Sequence, residues 1–363
     1  MEIGSPSEAE SLFRSPYNNR SYDYPWNPDP FSDGGTYRTY DEMRDDDQVK
    51  AVLTTKKNMV MGTGWQIVCE DESIRDFVTD NLKNIQSEKG LDTSFEEALH
   101  DILSAYDYGF SVTEPVYHIT DTPLGRKYKF LMLRTRAPHG FRFDLDEKGN
   151  IVNVIQATTG GDKPFPPELF IHYIYQPSFG NPFGTSDLRA AHSAWKSKKF
   201  VQRMLAIYLE RSASGFVVGK YPKTMDPNEA TRFQTLLSKL QQTSSLTISD
   251  DMAVEFSQPP RDAAPSYLAA LGYYNTMIAR AILVPDLMGL GGSETEGGSY
   301  SLGETQFKIF LGTLEKDRNA LARKISLRLV RPLVRANFGD IECRFEFLPF
   351  TNEQEAENLK MWL

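Results

Sequence analysis

The chain has 363 residues, 40 Lys+Arg against 49 Asp+Glu and a formal net charge of -9. Its apolar share (40%) and charged share (25%) are those of a folded protein, which excludes wholesale disorder. No apolar run approaches the roughly 18 residues of a membrane span, and the acidic balance argues against gripping DNA over a broad basic face. The length is that of about two to three domains. Met1-Glu2-Ile3-Gly4-Ser5 has neither the basic nor the apolar region of a secretory leader. Cys69 and Cys343 lie far apart, and reduced, buried thiols are expected of them.

Residues 1–40 read as an arm. Tyr22-Asp23-Tyr24-Pro25-Trp26-Asn27-Pro28-Asp29-Pro30 is too proline-rich for a regular helix or central strand. An arm lying on a surface and a disordered tail both fit this composition. From Tyr40 the spacing of Val49, Val52 and Leu53 predicts a helix, with Lys56-Lys57 at the end where cations suit the dipole. Gly62 and Gly64 end it, and Trp65 to Cys69 alternates as a strand. A helix over Ile74 to Ile85 follows. Another opens on the capping box of Thr93-Ser94-Phe95-Glu96-Glu97 and runs to Gly109.

Strands are predicted over Phe110–Tyr117, Tyr128–Arg134, Phe141–Asp144, Ile151–Gln156 and Ile171–Tyr175, with Pro164-Phe165-Pro166-Pro167 breaking the pattern before the last. A long helix then begins near Thr185-Ser186-Asp187 and reaches about Ser212. After it come a strand at Phe216–Lys220, a helix started by Asp226-Pro227-Asn228-Glu229, and strands at Leu246–Ile248 and Ala253–Phe256. Pro265-Ser266 opens a second long helix to about Val284, apolar on nearly every face, which predicts burial all round or a place between subunits. A Gly-rich loop leads to a third long helix over Glu304 to Asn337. The dipole accounts for the cations from Arg323 to Arg335 there. Ile341–Leu348 is a strand, and Thr351-Asn352-Glu353-Gln354 starts a further helix.

Sets of catalytic residues are nearly absent. His100, His118, His139, His172 and His192 form no i, i+3 or i, i+4 pair, and there is no zinc-spaced Cys pair, phosphate loop or serine elbow. Asp45-Asp46-Asp47 points in different directions along a helix, so a solvated acidic face is expected rather than a metal site. No enzyme activity and no cofactor are expected. Arg189, His192, Lys196, Lys199 and Arg203 share one stripe of the first long helix, which reads as a solvated face, a partner for acids, or a phosphate contact. The loop's Leu287, Met288, Gly289, Leu290, Gly291, Gly292, Glu294, Glu296, Gly297 and Gly298 read either as a disordered connection or as a mobile loop at a site.

The order of these parts resembles phage portal proteins, the branch typified by phage Mu. Five further patterns carry the likeness: Tyr40-Asp41-Glu42-Met43 through Val49-Lys50-Ala51-Val52-Leu53 to Gly64-Trp65-Gln66-Ile67; Tyr106-Asp107-Tyr108-Gly109-Phe110-Ser111-Val112-Thr113-Glu114; Pro182-Phe183-Gly184-Thr185-Ser186-Asp187-Leu188-Arg189; Leu209-Glu210-Arg211. The last is Ala281-Ile282-Leu283-Val284-Pro285-Asp286-Leu287-Met288-Gly289, followed by Gly298-Ser299.

The resemblance implies an α+β portal fold: a wing over 41–184 completed by 304–348, stem helices over 185–213 and 263–284, a clip over 214–262, a tunnel loop over 285–303, and at 349–363 the start of a short or truncated crown. It implies a closed ring, usually of twelve copies, at one capsid vertex of the virion, assembled in the host cytoplasm. Double-stranded DNA passes through without sequence preference. The implied partners are the terminase large subunit, the major capsid and scaffold proteins, and neck or adaptor proteins, with no membrane. Leu287, Met288 and Leu290 would line the narrowest part of the channel, and Phe233, Leu236, Leu237 and Leu240 would belong to the clip. The alternatives are a neck adaptor ring without a translocation role and a metal-dependent enzyme such as a nuclease. Residues 1–47 hold eleven acidic and four basic residues, so most of the net charge belongs to the arm and first helix.

Overall fold

A computed structural model describes residues 29, 31, 37–85, 94–146, 149–214, 216–222, 224–239, 253–257, 263–284 and 300–350. The single helix expected from Tyr40 is two, α1 (Arg38–Arg44) and α2 (Asp47–Met61). They break where Asp46 turns its carboxylate onto the backbone N–H groups of Gln48 and Val49, capping α2. After β1 (Trp65–Cys69) and α3 (Glu72–Lys83) comes α4 (Phe95–Ile102). Its capping box is the expected one, Ser94 and Glu97 satisfying each other's backbone donors. The helix expected to continue to Gly109 turns at Leu103-Ser104 and resumes as the short α5 (Ala105–Tyr108).

Three sheets follow from the apolar alternation. β2 (Phe110–Thr122) lies between its hairpin partner β3 (Gly125–Arg136) and β7 (Ile171–Ile174). β5 (Ile151–Thr158) lies between β4 (Phe141–Leu145) and β6 (Gly161–Phe165). β6 departs from the expectation that Pro164 breaks the pattern. It pairs only with β5, Pro164 facing Ile155, so the missing N–H falls on an edge strand. β1 pairs antiparallel with the C-terminal β10 (Cys343–Phe347) in the register Trp65↔Phe347 to Cys69↔Cys343. This corrects the expectation of two free thiols: the register sets the cysteines opposite each other, and they form a disulfide.

The first long helix is α6 (Asp187–Ser214), about 42 Å at 1.5 Å per residue. It leads into β8 (Phe216–Lys220), α7 (Pro227–Lys239) and β9 (Ala253–Ser257), with β8 and β9 antiparallel. The chain returns through α8 (Ala263–Ala281), which begins two residues before Pro265, the first turn of a helix being able to hold a proline. The strand expected at Leu246–Ile248 and the helix expected from Thr351 lie outside the described residues.

The third long helix is not continuous. α9 (Tyr300–Ile325) passes through a π turn (Ser326–Val330) into α10 (Arg331–Phe338). Pro332 explains the break, since in an unbroken α-helix its ring meets the carbonyl four residues back and it offers no N–H. Ser326 stitches the turn to β10, its hydroxyl accepting from the Phe345 N–H at 2.9 Å. The core gathers Val52 and Val60 of α2, Leu99 and Ile102 of α4, Phe110 of β2, and Leu314, Leu321 and Ile325 of α9.

Candidate functional site

The root of the α6–α8 helix pair is where the chain's most unusual chemistry collects. Gly109, with φ +92°, ends α5, and Gly184, with φ +61°, precedes α6. The two touch back to back. A Cβ on Gly184 would lie 2.2 Å from the Gly109 carbonyl oxygen and 2.4 Å from that of Tyr175, so neither position has room for a side chain. Tyr175 N–H donates to the Gly109 carbonyl at 2.8 Å, and Thr185 N–H to the Tyr175 carbonyl at 2.9 Å. Ser186 accepts from the Leu188 N–H at 3.0 Å and donates to the Asp107 carbonyl at 2.6 Å, capping α6 and tying it to α5.

Lys56 of α2 is fully buried beneath this junction. Its ammonium lies 2.7 Å from Asp187, 2.9 Å from the Tyr175 hydroxyl and 3.4 Å from the Ile282 carbonyl just past the end of α8. It also faces the Tyr106 ring at 4.6 Å. One cation therefore fastens the start of α6, the end of α8 and the strand exit to α2. Asp317 of α9 accepts from the Tyr106 hydroxyl at 3.2 Å. Burial pushes both Asp187 and Asp317 above the usual carboxylate range, against the pull of Lys56.

Two more buried lysines repeat the device. Lys57 donates to Asp107 at 2.9 Å, and Arg44 sits 3.1 Å from the same carboxylate. Lys198 of α6, 2% exposed, donates to Asp46 at 2.9 Å and also holds Asp47, whose carboxyl is drawn below the usual range chiefly by that hydrogen bond. These contacts correct two expectations. Lys56 and Lys57 serve buried carboxylates and not the dipole of α2. Of Asp45-Asp46-Asp47, Asp45 and Asp47 are exposed as expected, but Asp46 is a buried cap and ion-pair partner. The signal lay in the pattern: Lys56 continues the apolar stripe Val49, Val52, Leu53, and Lys198 continues Leu188, Ala191, Trp195 at helical spacing.

Beyond the root the pair is open. α6 and α8 run antiparallel, the Tyr208 and Tyr267 rings meeting at 5.7 Å near the far end. Ile278 and Ala279 of α8 and Ile282 just after it are buried, but Leu268 and Tyr273 are each 59% exposed. On α6, Leu188, Ala191 and Trp195 are buried while Phe200 is 63% and Leu209 52% exposed. The apolar character of α8 is thus spent on its own fold only at the root.

The five-residue basic stripe divides in the same way. Arg189 and His192 are half-buried. The His192 ring packs 4.2 Å from Phe31, and burial, then Lys196, pushes it below the usual histidine range. Lys196, Lys199 and Arg203 are exposed, Lys199 lying 4.2 Å over the Trp195 ring, and no ion pair joins these three to a carboxylate among the described residues. In the insert, Phe233 is buried and Leu237 half-buried over Gly219, whose missing side chain lets α7 close on β8, while Leu236 is 49% exposed. Leu240 and the loop residues Leu287 to Gly298 lie outside the described residues. Among the described residues there is no cluster of three or more metal-ligating side chains, and no helix is long and apolar enough to cross a membrane.

The fold agrees with comparison to known proteins. The family model for the portal protein of Mu bacteriophage matches residues 37–362, and the chain belongs to that family. Among solved structures, a chain in the virion of a native gene transfer agent particle is 15% identical, with TM-score 0.57, covering 90% of this chain and 89% of that one. A chain in the neck of that native particle, computed with C12 symmetry, is 15% identical, with TM-score 0.53, covering 92% and 86%. An HK97 family phage portal protein from Corynebacterium diphtheriae is 11% identical, with TM-score 0.52, covering 88% and 96%. At such identities these structures share a fold. No curated protein matches the chain.

Proposed function

We propose that the chain forms a closed ring, of twelve copies, at one vertex of a phage capsid and serves as the conduit for DNA packaging and ejection. In this reading α6 and α8 are the stem, residues 214–262 the clip on which the terminase large subunit docks, and 285–303 the tunnel loop at the constriction. Residues 41–184 with 304–348 are the wing. Capsid, scaffold and neck proteins meet the outer surfaces, and the ring is assembled in the host cytoplasm.

The observation that carries the reading is the pair α6–α8, anchored by buried ion pairs at one end and exposing Phe200, Leu209, Leu268 and Tyr273 along its length. Exposed apolar side chains on a rigid, two-sided element call for neighbours on both flanks, and a head-to-tail contact that closes on itself supplies them. The C12 symmetry of the gene transfer agent neck supports the number.

Mass photometry of the purified chain tests this directly. A particle near twelve times 41.2 kDa is expected. A monomer at every salt and protein concentration overturns the ring. Shortening residues 289–298 is expected to leave the ring intact and impair packaging, and unchanged packaging removes the loop from the mechanism.

A further inference from the structure

The C-terminal end of the third long helix carries charges that the reading above leaves unused. Residues 323–335 hold Arg323, Lys324, Arg328, Arg331 and Arg335 and no acidic residue. The dipole explains only the last, because its field falls off within one turn and α10 ends at Phe338. Arg323 lies about 22 Å before that end at 1.5 Å per residue. Arg331 pairs with Asp340 at 3.4 Å. Among the described residues no carboxylate forms an ion pair with Arg323, Lys324, Arg328 or Arg335.

These cations act on one another. Lys324 is half-buried, and its ammonium is pushed below the usual lysine range by burial and then by Arg328 and Arg323. Behind them the buried His172 is held neutral, its pKa brought down to about 3 by burial and next by Lys324. Like charges this close, partly withdrawn from water, are unfavourable on a surface that meets only solvent. Beside them a cavity of about 530 Å³ opens at the π turn, lined by Leu327, Arg331, Pro332, Arg335 and Ala336. Two guanidinium groups thus stand over an apolar floor, with Leu327 46% exposed.

We propose that this face binds an acidic peptide segment of a partner protein, carboxylates on the arginines and an apolar side chain in the cavity. Arginine forks match carboxylates two bonds at a time, and four of the five cations are arginine. A nucleic acid backbone would use the same forks but has no side chain for the cavity beside Leu327. The location argues the same way, in a step that rests on the portal reading. There DNA passes residues 285–303, and Arg323 lies about 35 Å along the helix from Tyr300. The cationic end packs on β3, β10 and α3.

The test uses the full chain in its assembled state and fluorescence anisotropy with a labelled synthetic peptide of repeated Glu-Glu-Leu units. A Lys-Lys-Leu peptide and a short DNA duplex serve as comparisons. Arg331 and Arg335 are exposed, so R331E/R335E is expected to fold, which near-UV circular dichroism checks. The acidic peptide is expected to bind with salt-sensitive affinity. R331E/R335E should weaken it more than about tenfold and R331K/R335K about threefold, reflecting the lost fork geometry. L327Q should weaken it without changing the salt dependence. No binding of the acidic peptide, or affinity unchanged in R331E/R335E, overturns the proposal. So does a reversal that weakens the duplex instead, which assigns the face to nucleic acid. A reversal that dissolves the ring in mass photometry also overturns it, by assigning the face to a neighbouring copy. A wild-type chain that is monomeric yet binds the acidic peptide in this charge-dependent way sinks the ring and leaves this site standing.

Discussion

Lys198 and its near neighbours Lys196 and Lys199 sit on one helix and do opposite things. Lys198 is 2% exposed and locked to Asp46 and Asp47. Lys196 and Lys199 face water with no carboxylate partner among the described residues. A helix turns about 100° per residue, so a two-residue step moves a side chain from anchor to open flank. The root of the pair is specified by buried charge, whose removal is costly. In the proposed ring the flank is specified by what passes or packs beside it. Mutations at the root should register in stability and mutations on the flank in function, and a reversed pattern would break this division.

The largest effect is expected at Lys56. Replacing it with methionine leaves the Asp187 carboxylate buried without its cation, a loss of about 3–5 kcal/mol. Chemical denaturation should show it, and Lys56→Met with Asp187→Leu should recover most of the loss, since a well-packed apolar pair often replaces a buried ion pair without penalty. A single variant as stable as the wild type would remove Lys56 from the anchor.

His172 comes next and extends the comparison to pH. Its folded pKa is about 3, lowered mainly by burial from 6.5. Between those values the unfolded chain binds more protons than the folded one, so stability falls as pH drops through that window. The slope approaches about 1.4 kcal/mol per pH unit. Asp187 and Asp317, raised by burial, act in the opposite sense as they take up protons. The difference between wild type and His172→Gln therefore isolates the histidine, and parallel pH profiles would contradict the assignment. A smaller loss, about 2–3 kcal/mol, is expected of Gly184→Ala, which forces a Cβ against two backbone oxygens at positive φ.

These root residues also mark the limit of what the sequence discloses. Ser94 with Glu97, Asp226 before Pro227, and Gly109 are local devices whose partners lie within a few residues, and each sits where its chemistry predicts. The disulfide joins positions 274 residues apart, which spacing alone does not reveal. β6 was masked by Pro164 because an edge strand and a loop tolerate proline alike. Lys56 and Lys198 stand on apolar stripes, an oddity that the place of Lys56 near a helix end concealed, and their carboxylates come from distant segments, so periodicity can mark such a residue but not its partner. The open flank follows the same rule. The apolar excess of α8 pointed to burial or neighbours, and only the fold shows that Leu268 and Tyr273 are left uncovered.

The smallest effect on stability is expected on the flank, and there the division is tested most sharply. Lys196→Glu with Lys199→Glu removes two exposed cations and one contact over the Trp195 ring at 4.2 Å. Such a loss amounts to about 0.5–1 kcal/mol at an exposed site. The melting temperature should therefore hardly move. The proposed role predicts a change elsewhere: if the stripe faces a neighbouring copy, ring formation in mass photometry weakens; if it faces the channel, the ring stands and DNA packaging changes. Charge reversal that alters neither would leave Lys196, Lys199 and Arg203 as solvated lysines and arginine. The functional flank would then rest on Phe200, Leu209, Leu268 and Tyr273 alone.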